Sequence, residues 1–164
     1  MENYNSDYRS RLIKKNVEYY APRLSDLDSN SKKTSWNWFA FLVPFVWFAY
    51  RKLYLECAAY YLITNGLNAV ITDILSRHGM IVNVGWTIDI LAMFFSGLYG
   101  NWLYKCKLDR QVEKCIDMPP EKREQYINRH GGTSVLAIII SFCITIMIAF
   151  LLYYYVLPKD ALTQ

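Results

Sequence analysis

The chain has 164 residues, of which 54% are hydrophobic and 16% aromatic, and its formal net charge is +4. This length fits one domain, and an average soluble domain has only about 45–50% apolar residues. A positive charge in a soluble protein would suggest nucleic acid, but here lysine and arginine flank the hydrophobic segments, as they do in membrane proteins. We therefore predict an all-α membrane protein without nucleic acid as a partner.

The sequence carries no motif of a soluble enzyme or of a metal site. GxSxG, HExxH and a glycine-rich phosphate loop are all missing from it. The 4 cysteines show no CxxC pairing, which favours reduced thiols over a zinc site. His78 and His130 are predicted on opposite sides of the membrane and cannot share a site. We expect no enzymatic activity, no cofactor and no metal.

Residues 1–35 are predicted to form a cytoplasmic amphipathic and linker segment without an apolar signal sequence. An apolar stripe at helical spacing runs through it: Ile13, Val17, Tyr20 and Leu24. Two interpretations stay open, a basic helix on anionic lipid and a helix packed on the protein itself. Pro22 is predicted to end this helix and begin the linker.

Residues 36–50, WNWFAFLVPFVWFAY, carry no charge, but as a helix they are only about 22 Å long. A hydrocarbon core is about 30 Å thick, and Pro44 fits a bent element. If this segment does not cross, sixteen of the 18 Lys and Arg residues lie inside; if it crosses, that bias nearly vanishes. We therefore predict a short aromatic re-entrant or interfacial helix, with a four-crossing hairpin as the alternative.

Three further hydrophobic segments each exceed the roughly 20 residues that cross a bilayer. They are residues 53–75, 80–104 and 134–156, with a cytoplasmic loop of two short helices at 105–133 and a tail at 157–164. The predicted N-terminus is cytoplasmic, next to the anionic inner leaflet, and the C-terminus is periplasmic or extracellular. Small residues at helical spacing in these segments predict packing against other membrane proteins or a second copy.

Ionisable and amide side chains inside predicted spans are the candidate functional residues. Asp89 lies near mid-bilayer, and an antiparallel register places Asn68 opposite it and Asn101 opposite Glu56. One interpretation is a clamp in which Asp89 bonds Asn65 or Asn68; the other is a proton or cation step. Nearer the membrane surfaces, Glu56 is predicted to reach headgroups or to pair with Arg51 or Lys52, and Asp73 to pair with Arg77 one turn on.

The same alternatives give two functional hypotheses. The first is a non-enzymatic structural or interaction protein, an adaptor or an oligomer-forming protein, that uses its small-residue faces and basic elements. The second is a small channel or transporter-type subunit that moves protons, ions or a solute past Asp89. A reconstituted flux assay with Asp89→Asn separates them.

The run SWNWFAFLVPFVWFAYRKLYLE resembles the opening of DUF2628, a family of small bacterial membrane proteins of unknown function. A GLYGNWLY run and the NRHGGTS run are similar to two further elements of that family. The resemblance covers most of residues 19–134 and implies a bacterial inner-membrane location without an activity. The matching positions are Trp36, Asn37, Trp38, Ala40, Phe41, Pro44, Trp47, Tyr50, Arg51, Lys52, Gly97, Asn101, Tyr104, Gly131 and Gly132.

Overall fold

The computed structural model describes the backbone of residues 2–30, 32–80 and 84–156, and the side chains of residues 7–30, 32–80 and 84–151. Within these ranges the chain is all-α and has no strand, as predicted. The predicted tail at 157–164 lies outside the described residues. The helices are α1 Glu2–Ile13, α2 Val17–Ser29, α3 Trp38–Leu42, α4 Pro44–Tyr50, α5 Tyr54–Arg77, α6 Gly85–Ile116, α7 Pro120–His130 and α8 Val135–Val156.

One part of the fold, which we call the head, contains most of the buried core, which continues from there into α3 and α4. The head comprises α1, α2, residues 105–116 of α6, and α7. Its apolar side chains are shielded from solvent on all sides, as in a soluble domain. The core members include Tyr8, Leu12, Ile13, Leu24, Leu27, Leu108, Val112, Cys115 and Ile127.

The N-terminal stripe lies on two helices instead of one. Lys14 and Asn16 adopt left-handed conformations with φ of 56° and 61°, which breaks the helix between α1 and α2. Pro22 lies inside α2 and does not end it, because buried side chains before and after it, Tyr20 and Leu24, hold α2 in place. The burial of this stripe favours packing on the protein itself over contact with lipid.

Residues 36–50 form two short helices with a break at Val43. Pro44 is the first residue of α4, where its missing N–H would have had no helical partner. Asn37 caps α3, because its Oδ1 accepts hydrogen bonds from the backbone of Phe39 and Ala40 at 3.1 and 3.0 Å. The bent element predicted from Pro44 is confirmed.

Helix α6 continues through the first part of the predicted loop at 105–133. Residues 105–116 are helical as predicted, but they do not form a separate short helix: Leu108, Val112 and Cys115 pack into the head on the same helix that begins at Gly85. The second loop helix is confirmed as α7. Ser134 precedes α8 and caps it, since its Oγ accepts a hydrogen bond from the Ala137 amide at 3.1 Å.

The second part of the fold, which we call the apolar helices, comprises α5, residues 85–104 of α6, and α8. Their large apolar side chains point outward: Trp86 is 76% exposed, Leu55 75% and Phe150 72%. In the described residues, no single helix combines the length and the hydropathy needed to cross a membrane. The pair Pro120–His130 and Val135–Leu151, bent by 52°, reaches these values together.

Candidate functional site

The head meets the apolar helices where residues 35–53 pack along α6. At one end of this junction, the Ser35 amide donates to the Leu98 carbonyl at 2.9 Å and the Asn37 amide donates to the Gly97 carbonyl at 2.8 Å. At the other end, the carbonyl of Arg51 accepts a hydrogen bond from Lys107 Nζ. The contacts with α6 thus lie within ten residues, about 15 Å of helix.

Two glycines on α6 let α3 approach closely. A Cβ at Gly97 would lie 2.9 Å from Phe41 Cβ, and a Cβ at Gly100 would lie 2.9 Å from Ala40 Cβ. Both distances are shorter than side-chain carbons tolerate. The small-residue face that the sequence predicted on this helix therefore packs against α3, an element of the same chain.

A buried pair of asparagines joins α3 to α6 beside these glycines. Asn37 Nδ2 donates to Asn101 Oδ1 at 2.8 Å, and Asn101 Nδ2 donates to Ser35 Oγ at 3.1 Å. Both asparagines are almost fully buried, with exposures of 1% and 0%. Because buried amides need their partners, this network fixes the register of α3 on α6.

The turn after α4 carries Arg51 into the protein. The Leu53 amide donates to the Phe48 carbonyl at 2.8 Å and the Lys52 amide donates to the Ala49 carbonyl at 3.0 Å, the two bonds of a Schellman motif. Lys52 occupies the left-handed position, φ 57°, which glycine usually takes. This geometry directs Arg51 inward, where its side chain is 1% exposed.

The Arg51 guanidinium lies among tyrosine rings. Its carbon is 4.1 Å from the centre of the Tyr20 ring and 5.1 Å from that of Tyr104. Nη1 donates to the Lys15 carbonyl at 3.2 Å and to the Tyr104 hydroxyl at 3.4 Å, and Nη2 donates to the same carbonyl at 3.3 Å. Cation–π attraction and neutral oxygens therefore hold this buried charge.

Of the two lysines at the junction, Lys52 contacts the turn between α7 and α8, whereas Lys107 donates to the Arg51 carbonyl. Lys52 Nζ donates to the carbonyls of Gly131 at 2.8 Å and Arg129 at 3.1 Å. Burial, together with the charges of Lys52 and Arg51, lowers the pKa of Lys107 to about 8. Gly132 has a φ of 75°, and its amide donates to the Leu12 carbonyl, so the two glycines of this turn dock it on the head.

Opposite charges alternate on the side of the head formed by α1, α2 and α6. Arg9 lies 2.6 Å from both Asp28 and Asp109, and Lys105 lies 2.6 and 2.7 Å from the same two carboxylates. Partial burial acts to raise the pKa of Asp28, but hydrogen bonds from Lys105 and Arg9 outweigh it and lower that pKa.

The predicted intramembrane residues do not converge. Asp89 is exposed, and in the described part of the chain no hydrogen bond joins it to Asn65 or Asn68. Asn65 instead donates to the Tyr61 carbonyl, and Asn68 accepts from Thr72, within α5 in both cases. The predicted clamp was wrong, because these amides find partners one turn away on their own helix.

The predicted partners of Glu56 were also wrong. Arg110, one turn beyond the junction on α6, lies 3.8 Å from Glu56, whereas Arg51 is buried and Lys52 binds the α7–α8 turn. Asn101, the expected neighbour of Glu56, bonds Asn37 instead. It is the one member of the predicted intramembrane set that belongs to the junction.

The positions that carry the family resemblance lie close together in the fold. Residues of the opening run form α3, α4 and the turn after them, and Gly97, Asn101 and Tyr104 are their contacts on α6. Sequence reasoning missed Tyr20 and Lys107, which touch Arg51 from distant parts of the chain. The one arginine of the opening run could have indicated them, since an arginine that is buried beside an apolar segment requires polar or aromatic partners.

Comparisons with known proteins agree with this placement. A family model described as Protein of unknown function (DUF2628) matches residues 6–110, which include most of α1, the whole of α2 and the whole of the α3–α6 contact, but neither the end of α6 nor α7. The match begins earlier than the predicted range and stops before Gly131 and Gly132. No curated protein and no solved structure matches the chain. Because the model covers more than half of the sequence, the chain belongs to the DUF2628 family.

Proposed function

We propose that this protein is an integral membrane protein that holds a folded cytoplasmic head against the inner face of a bacterial inner membrane. The observation that carries the proposal is the outward-facing apolar surface of α5, α8 and residues 85–104 of α6. An apolar surface of this extent marks a contact with lipid or with other proteins. The basic residues of the head lie on the side that the positive-inside rule assigns to the cytoplasm.

The aromatic segment is proposed to enter the bilayer from the cytoplasmic side and to leave on the same side. Both ends of residues 35–51 contact α6 within about 15 Å, half the thickness of a hydrocarbon core. Trp38, Phe39 and Leu42 are between 53% and 63% exposed on α3, as expected for side chains that face lipid. Residues 52 and 110 then both lie in the cytoplasm.

The role that we propose is that of a non-enzymatic adaptor or oligomer-forming protein. A groove of about 580 Å³ runs between α5 and α8, and small side chains line it, among them Ala58, Ala137, Ser141 and Thr145. Small residues at helical spacing allow another helix to approach closely in lipid. The groove thus fits a helix of a second copy or of another membrane protein.

The alternative, an ion or solute path past Asp89, has less support. Asn65 and Asn68 form their hydrogen bonds within α5, so the polar groups that would line such a path do not meet Asp89. A path of this kind would need convergent polar groups to replace the hydration of the ion. The adaptor role requires no such convergence.

Two experiments test the proposal. We expect the protein to stay in the membrane pellet after alkaline carbonate extraction. We also expect single cysteines at positions 52 and 110 to react with an externally added, membrane-impermeant thiol reagent only after the membrane is permeabilised. We expect crosslinking in native membranes to capture a complex that Ser141→Leu abolishes, because leucine fills the groove. Ser76→Leu, at the far end of α5 and outside the groove, is the control. Extraction into the carbonate supernatant, or an unchanged complex with Ser141→Leu, would contradict the proposal.

A further inference from the structure

A second cleft, beside the junction, combines an apolar and a polar lining. Its volume is about 540 Å³, and it lies between α2, α3, α4 and the beginning of α8. Side chains from α3 make one end apolar, and the start of α2 with the end of α4 makes the other end polar. The lining includes Trp38, Phe39 and Leu42 at the apolar end and Asn16, Tyr19 and Arg51 at the polar end.

Arg51 is the charged residue of this cleft, and its charge is poorly compensated. In the described part of the chain, no carboxylate lies within 4.0 Å of its guanidinium. Its acceptors are the Lys15 carbonyl and the Tyr104 hydroxyl, at 3.2–3.4 Å, whereas charge-assisted hydrogen bonds measure about 2.7–2.9 Å. Its buried Nε has no acceptor among the described atoms.

A buried cation in this state favours an anion as its ligand. A guanidinium without a charged partner is costly to bury, and the planar fork of arginine matches the oxygens of a phosphate. Tyr20 adds a donor, because its hydroxyl accepts from Trp47 Nε1 at 3.0 Å and keeps its own hydrogen for another acceptor. The polar end thus offers donors in excess of acceptors.

The apolar end indicates what else the ligand carries. Trp38, Phe39 and Leu42 continue from the cleft onto the exposed surface of α3. A free phosphate would leave these side chains uncovered, whereas an acyl chain would cover them. The cleft therefore matches a molecule with an anionic head and an apolar tail.

We propose that this cleft binds an anionic phospholipid, whose phosphate pairs with Arg51 and whose acyl chain lies along Trp38, Phe39 and Leu42. The proposal rests on the membrane location proposed above, which supplies the ligand. It also accounts for a buried arginine directly after an aromatic segment that has no acidic residue of its own. The bound phosphate supplies the charge that the described fold does not place beside this arginine.

The test uses the full chain, purified in a neutral detergent, and measures its melting temperature. We expect phosphatidylglycerol to raise the Tm by about 5 °C relative to phosphatidylcholine with the same acyl chains, because a ligand of the folded state stabilises it. We expect Arg51→Met to lose this gain, Arg51→Lys to retain part of it, and Arg129→Met, at an exposed arginine outside the cleft, to retain all of it.

Further arms separate the sources of phosphate and guard against misfolding. Inorganic phosphate alone should leave the Tm unchanged. If it raised the Tm as much as phosphatidylglycerol does, the ligand would be a free anion and the lipid proposal would be wrong. If Arg51→Met does not fold, Phe39→Ser decides, since this side chain is 53% exposed and lies at the apolar end of the cleft; full retention of the Tm gain in this variant would overturn the proposal. Equal changes in Tm with phosphatidylglycerol and phosphatidylcholine would also overturn the proposal. Carbonate extraction reports the membrane location separately, so either idea can fail alone.

Discussion

The head and the apolar helices come from one chain of similar helices, yet they hide their apolar side chains in opposite directions. Leu24 in the head is fully buried at 0% exposure, whereas Leu55 on α5 is 75% exposed. The difference teaches that burial of a leucine stabilises the head internally, while the apolar helices need a surrounding that the chain itself does not supply. Helix α6 belongs to both parts and couples them.

The largest expected contrast is between leucines of the two parts. Leu24→Ala should lower the free energy of unfolding of the head by about 2–5 kcal/mol, because it leaves a cavity in a closed core. Leu55→Ala should cost less than about 0.5 kcal/mol in detergent, since the detergent covers either side chain. Denaturant unfolding followed by tryptophan fluorescence measures both. Similar losses for the two variants would contradict the division into two parts.

Burial of Lys107 in the head should make the free energy of unfolding depend on pH. Burial and neighbouring positive charges lower its pKa from 10.5 to about 8, so folding is penalised while the ammonium is charged. Stability should therefore rise as the pH increases from about 8 towards 10.5.

Lys107→Met removes this penalty, up to about 3 kcal/mol at pH 7, but also the hydrogen bond to the Arg51 carbonyl, so its stability relative to the wild type should fall as the pH rises from about 8 to 10.5. Unfolding free energies of both proteins across this pH range provide the measurement. Lys114→Met, at an exposed lysine on the same helix, should follow the wild-type pH profile. A constant difference between Lys107→Met and wild type would refute the burial penalty.

Glycine substitutions on the two long helices test the junction itself. Gly100→Ala should destabilise by about 1–3 kcal/mol, because the new Cβ would lie 2.9 Å from Ala40 Cβ. Gly66→Ala on α5 meets nothing within 4 Å and should stabilise slightly, as alanine does in a helix. Thermal unfolding of the two variants in the same detergent decides. Equal shifts in Tm of the same sign for the two variants would contradict the close contact between α3 and α6.

The smallest expected effect concerns the charge network on the head. The pKa of Asp28 is lowered, so its contribution to stability is present above about pH 4 and is lost as the pH falls through its folded value. Asp28→Asn should reduce stability at pH 7 and flatten the acid limb of the stability profile. Asp117→Asn, at an exposed aspartate after α6, is the control. An acid limb that is unchanged in Asp28→Asn would contradict the assignment.

Some elements could be predicted from the sequence because local patterns determine them. The bend at Pro44, the helix Pro120–His130 before its glycines and the cap of α8 at Ser134 each depend on a few neighbouring residues. The pairing of Arg77 with Asp73 at 2.9 Å is of the same kind, since the two residues are one turn apart on one helix. The family motif named several residues that lie at the junction, among them Asn37, Arg51 and Asn101, but neither Tyr20 nor Lys107.

The sequence by itself thus determined the helices, the apolar segments and the family motif, because these follow from hydropathy, turn chemistry and the order of residues along the chain. Only the tertiary structure decided which residues meet. It placed Asn101 on Asn37 and left Asp89 exposed, and it extended α6 into the head. The physical reason is that a buried polar group takes the nearest partner that packing presents, and packing joins residues that are far apart in sequence.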